Sequence, residues 1–150
     1  MKTRLLVVGT LVFDALFLAF RPVRAQTPKE STLIAHLVSE ARQPDAHSKG
    51  DVFLQIKIGK VAYMAELESG KVIDQQPVEV SSGGFCGAYA EVSLNLLDKK
   101  KQETAQGAGQ ILKVSHGKWK RVALSEGDYL CEKLKEIPKS VINCLKVACN

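Results

Sequence analysis

The chain has 150 residues, of which 45% are hydrophobic and 25% charged, with a formal net charge of +5 at pH 7. That length holds one domain with a sizeable core and not two. Lys2, Arg4, Arg21 and Arg24 against Asp14 put +3 of the charge in the first 25 residues, leaving +2 on the other 125. So small a surplus excludes nucleic acid or an anionic membrane as partners argued from charge.

The first 25 residues read as a cleavable secretory signal. Lys2 and Arg4 open it, and residues 5–20 are apolar apart from Asp14 and a few small residues. Val23-Arg24-Ala25 then sets small residues where a signal peptidase reads, so cleavage is expected between Ala25 and Gln26. A membrane-spanning helix needs about 20 mostly apolar residues, and this run is shorter. A lipid anchor needs a cysteine at the new N-terminus, but the first is Cys86. The expectation is one exported domain over residues 26–150, secreted or periplasmic, with no stable membrane insertion after cleavage.

Thr27-Pro28-Lys29-Glu30 starts a helix: Thr27 is a cap, Pro28 suits the first helical position and Glu30 completes a capping box. Leu33, Ile34, Leu37, Val38 and Ala41 recur at helical spacing, and Pro44 stops the run. From Asp51 the period falls to two. Val52, Leu54, Ile56 and Ile58, the turn Gly59-Lys60, then Val61, Tyr63, Ala65 and Leu67 form a hairpin. After Ser69-Gly70 a weaker strand runs from Val72 to Val80, marked by Pro77 as an edge or bulge.

Residues 81–84 form a loop. Ala90, Val92, Leu94 and Leu96 alternate as the next strand, and residues 98–107 form a polar connector carrying Lys99-Lys100-Lys101. Ile111 to Val114 and Trp119 to Leu124 flank Ser115-His116-Gly117-Lys118 as a second hairpin. Pro138 opens a short helix whose Ile137, Val141, Leu145 and Ala148 share a face. The order gives an α+β fold: an N-terminal helix on an antiparallel five- or six-stranded meander sheet, with a short C-terminal helix. Both helices are expected on one face, as in cystatin-like or nuclear-transport-factor-like domains.

Cys86, Cys131, Cys144 and Cys149 all lie in the exported part, an even count that reads as two disulfides with three possible pairings. The preferred pairing is Cys131 with Cys144 and Cys86 with Cys149, because the first would tie the end of the sheet to the last helix. No C-x-x-C occurs and no histidine stands within ten residues of a cysteine, so no metal site is expected. No phosphate loop, dinucleotide fingerprint or H-E-x-x-H occurs either, and no cofactor is expected.

Gly84-Phe85-Cys86-Gly87-Ala88-Tyr89-Ala90 resembles the nucleophile segment of transglutaminase-like cysteine enzymes, in which the thiol sits at a helix N-terminus that lowers its pKa. That resemblance implies a triad of Cys86, His116 and Asp128. Three features oppose it. Residues 90–96 alternate with period two, the family's His-Ala-Trp segment is absent, and Ala123 or Leu124 stands where its aspartate would follow Gly117-Lys118-Trp119. His36 beside the helix face, His47 in a loop and His116 in a turn have structural readings, and Glu66 with Glu68 reads as a solvated strand face. Lys99, Lys100 and Lys101 with Lys118, Lys120 and Arg121 read as a solvated loop and a lysine-guarded edge, the alternative being one basic edge. Tyr63, Tyr89, Trp119 and Tyr129 are expected in core packing more than along a pocket.

The last 45 or so residues carry a wider pattern: Gly107-Ala108-Gly109-Gln110, Gly117-Lys118-Trp119, Cys131, then Ile137-Pro138 through Cys144. It is similar to the C-terminal part of small exported bacterial proteins of unknown function, where a Gly-x-Trp hairpin precedes a Cys, a Pro-initiated helix and a second Cys. The resemblance implies a Cys131–Cys144 bridge and carries no catalytic residue. The expected function is therefore a binding or envelope-accessory module that recognises an unknown protein or envelope component by its surface. A Cys86 enzyme is the alternative, and a small-ligand carrier with a pocket between helix and sheet a third.

Overall fold

The computed structural model describes residues 27–43, 50–70, 72–73, 84–104 and 107–150. The Ala25–Gln26 junction, Pro44, His47 and Pro77 lie outside them.

Helix α1 (Pro28–Ala41) starts as its residues dictate. Thr27 Oγ1 accepts from the Glu30 N–H at 3.2 Å, and Glu30 Oε2 accepts from the Thr27 N–H at 2.7 Å, satisfying two of the first-turn donors. Leu33, Ile34, Leu37 and Val38 form its buried face. Both ends are fastened to the sheet. The Lys29 ammonium donates to Gly87 O at the start, and Arg42 Nε donates to Leu67 O at 3.2 Å after the end.

Strands β1 (Phe53–Ile58), β2 (Val61–Glu66) and β3 (Val72–Ile73) form one antiparallel run, and β5 (Tyr89–Leu97), β6 (Ala108–Ser115) and β7 (Lys118–Ser125) form another. The sheet is antiparallel throughout, ordered β3-β2-β1-β5-β6-β7. The meander is interrupted once, because β5 returns to pair with β1 from Phe53–Leu97 to Ile58–Val92 instead of extending from β3. The two-residue strand β4 (Phe85–Cys86) pairs with Tyr89–Ala90 and so continues the line of β1 along β5.

That collinear join explains Gly84, which takes φ +102°. A Cβ there would lie 2.5 Å from the Gly59 nitrogen and 2.8 Å from the Ile58 carbonyl carbon, so only glycine lets β4 abut the end of β1.

Period-two alternation gives the sheet two apolar faces. Leu54, Ile56, Ile58, Tyr63, Ala65, Val92 and Leu112 pack under α1. Ile111, next to Leu112, points the other way and joins Ala123, Tyr129, Leu134, Ile137 and Leu145 in a second core. That core is covered by the C-terminal segment, comprising a 3-10 turn (Cys131–Leu134) and helix α2 (Lys139–Leu145). The expectation of both helices on one face is therefore corrected: α1 and α2 cover opposite faces. The bulk of Ile111 and Ala123 on the far side of β6 and β7 demanded a cover of its own.

Gly84→Ala is expected to lower the unfolding free energy by about 2–4 kcal/mol through backbone strain and overpacking. Gly87→Ala is the contrast: its φ is +56° but nothing lies within 4 Å of the added Cβ, so about 1 kcal/mol is expected. Urea denaturation midpoints of the two variants check the difference.

Candidate functional site

Cys86 sits on β4 and precedes a strand, so its sulfur does not stand at the start of a helix. Its neighbour Phe85 turns toward α1, whereas Cys86 turns to the far face and is bonded to Cys144 of α2. The other bridge is Cys131–Cys149, and no described cysteine is free. This corrects the expected pairing of Cys131 with Cys144 and Cys86 with Cys149.

The backbone gives the reason. Lys146 adopts φ +57° and ends α2, turning the chain back. The Asn150 N–H then donates to Tyr129 O at 3.0 Å and the Cys131 N–H to Asn150 O at 3.2 Å. This lays Cys149 beside Cys131 with Cα atoms 5.0 Å apart, while α2 carries Cys144 onto β4.

The triad Cys86–His116–Asp128 does not assemble. His116 sits exposed in the β6–β7 turn at φ +49°, with its Nδ1 3.0 Å from Ser115 Oγ. Asp128 follows the other end of β7 and accepts from Asn150 Nδ2 at 2.6 Å. The eight residues of β7 lie between them, a run of roughly 26 Å at the usual strand rise. His36 stays on α1, its Nε2 3.6 Å from Glu40 Oε1. Glu66 closes β2 but Glu68 lies in the following turn, so the two do not share a strand face.

The aromatic residues divide between the cores. Tyr63 and Trp119 pack under α1, Tyr89 and Tyr129 in the second core. Trp119 Nε1 donates to Thr32 Oγ1 at 3.2 Å. Lys29 was not singled out by spacing, yet its ammonium lies 5.1 Å from the Phe85 ring centroid and 6.0 Å from that of Trp119, within cation–π range. Leu33, Leu37, Ile56 and Tyr63 are buried beneath α1.

Among the described residues, grooves open along α1 and beside β7. One of about 390 Å³ runs along α1, lined by Ser31, Ile34, Ala35, Val38 and Arg42 with Gly70. The other, of about 370 Å³, lies between residues 121–124 of β7 and Glu132, Lys133 and Glu136.

The lysines do not form one basic edge. Lys99, Lys100 and Lys101 sit in the turn after β5, where Asp98 Oδ1 accepts from the Lys100 and Gln102 N–H groups. Lys118 is at the opposite end of the sheet, beside Ser115. Among the described residues no group of three His, Cys, Asp or Glu side chains is placed to hold a metal, and no helix is long and apolar enough to cross a membrane.

Within the second core Tyr129 is buried with its hydroxyl unpartnered, over Gly109, where a Cβ would lie 3.1 Å from that oxygen. Burial, and then the charge of Glu91, push the Tyr129 phenol upward and keep it protonated. Burial also raises Glu91 above its ordinary 4.5. A carboxyl raised in the folded state favours folding while protonated, and stability falls as pH rises from 4.5 through the folded value. Glu91→Gln is therefore expected to be more stable than the parent at pH 7, with the gain vanishing below pH 4.5; paired thermal melts across that range check it.

No protein-family model, curated protein or solved structure matches the chain.

Proposed function

We propose that the protein is an exported recognition module, secreted or periplasmic, that binds a protein or envelope component through its surface and does no covalent chemistry. The observation that carries this reading is the Cys86–Cys144 bridge. A thiolate is the nucleophile in cysteine catalysis, and here the sulfur is spent in tying α2 to the sheet. Two disulfides in a domain of this size fit an oxidising compartment, in keeping with the leader-like residues 1–25.

The rest of the surface supports recognition in a simple way. Val122, Leu124 and Leu130 are the large hydrophobic side chains exposed among the described residues. The first two line the groove beside β7, and Leu130 immediately precedes the 3-10 turn that forms its other wall. Aliphatic side chains gathered at one edge mark a contact surface more often than singly scattered ones do.

The test is an intact mass of the exported protein. The expected species begins at Gln26, takes up no alkylating reagent before reduction and four equivalents after it. A hydrolase or acyl-transfer activity that is lost in Cys86→Ser, with two alkylatable thiols in the unreduced parent, Cys86 among them, would overturn the reading.

A further inference from the structure

We infer that the outer edge of β7 takes up an extended partner segment in which acidic and aliphatic residues alternate, adding it to the sheet as a further strand. The inference rests on the recognition reading and says where, and for what chemistry, that recognition occurs.

β7 ends the strand order, so its outer side carries no strand among the described residues. Its register against β6 slips once: Leu112 faces Arg121 and Ile111 faces Ala123, which leaves Val122 as an extra residue. A bulge of this kind bends the strand and re-aims side chains. The slip also changes the phase of the strand. Lys120 lies opposite Lys113 on the face of the second core, whereas beyond the bulge Leu124 lies opposite Gln110 on the α1 face.

The edge therefore offers the cations Lys118 and Lys120 on one face, and Leu124 beside Arg121 on the other. Lys118, Lys120 and Arg121 are exposed and form no ion pair among the described residues. Lys113 and Lys120 oppose each other directly, and like charges in that position are destabilising. An anion laid alongside relieves that repulsion. Val122 and Leu124 remain 38% and 39% exposed beside the 370 Å³ groove, and burying them there is favourable.

These features select the occupant. An added strand points alternate side chains to opposite faces, so an acidic–aliphatic alternation meets Lys118 and Lys120 with its acids and Leu124 with its aliphatics. A second copy of β7 would bring six cations onto one seam. A phosphate polymer would gain nothing from Val122 and Leu124.

The experiment uses the oxidised exported protein and a fluorescently labelled peptide of four Glu-Val repeats, with a Lys-Val repeat and heparin as comparisons. Saturable binding of the Glu-Val peptide is expected, with slowed amide exchange at residues 119–124. The paired change Lys118→Glu and Lys120→Glu is expected to weaken that peptide at least tenfold and to create binding of the Lys-Val peptide. Both sites are exposed, and circular dichroism verifies that the variant is folded. Leu124→Asp is expected to weaken the Glu-Val peptide without creating Lys-Val binding.

Absence of Glu-Val binding overturns the inference, as do binding unchanged by the charge reversal, heparin binding that outcompetes the peptide, or a parent that dimerises through β7. Each of those results leaves the recognition reading in place, since that reading falls on the thiol count and on a Cys86-dependent activity.

Discussion

The six residue pairs between β1 and β5, from Phe53–Leu97 to Ile58–Val92, hold the domain in one piece. Without them residues 53–73 and 89–125 are two separate antiparallel runs, each too narrow to bury a helix. With them, Leu54, Ile56 and Ile58 stand directly beside Leu96, Leu94 and Val92, and one continuous apolar floor forms under Leu33, Ile34 and Leu37. The partners are 34 to 44 residues apart in sequence, so their loop closure opposes folding. Burial of that floor is what offsets it. Gly84 belongs to the same constraint, because β4 must meet the end of β1 without a side chain between them.

A floor with two faces creates a second demand. Ile111 and Leu112 are both fully buried and adjacent, so β6 needs cover on both sides. The C-terminal 25 residues supply the second cover with little regular structure: four residues of 3-10 helix and seven of α2. Such short elements contribute small contacts, and the disulfides compensate. In chain-entropy terms a bridge spanning 58 residues is worth about 4 kcal/mol and one spanning 18 about 3 kcal/mol. Cys86–Cys144 attaches the cover to the sheet, and Cys131–Cys149 closes the cover on itself.

Local patterns were legible in the residues, and long-range choices were not. The capping box at Thr27 and Glu30, the alternation in β1, β2 and β5, and the hairpin at Gly117 follow from short-range physics and stand where their spacing puts them. The β1–β5 return left no mark, because residues 72–80 give no signal of which edge the next strand joins. The bridge pairing went astray for a related reason. Cys131 and Cys144 are closer in sequence than either bonded pair, but a left-handed turn at Lys146 decides the geometry, and lysine carries no advance signal for that conformation. The bulge at Val122 was equally silent: β7 reads as ordinary alternation until its register against β6 is known.

The same bulge bears on how a lysine-rich edge could be both guarded and, as we propose, selective. Cations and a bulge are the usual protection against indiscriminate strand pairing, and on β7 they occur together. Protection by charge is conditional, however, because it repels chains of like sign and admits chains of opposite sign. Lys113 and Lys120 stand opposite each other in the ladder, with the Lys113 ammonium over the Tyr89 ring of β5. The phase change at Val122 then adds a steric condition, because acids and aliphatics must reach the two faces in alternation. In the recognition we propose, Lys118, Lys120 and one extra residue are what would close the edge to copies of itself and open it to one pattern of partner.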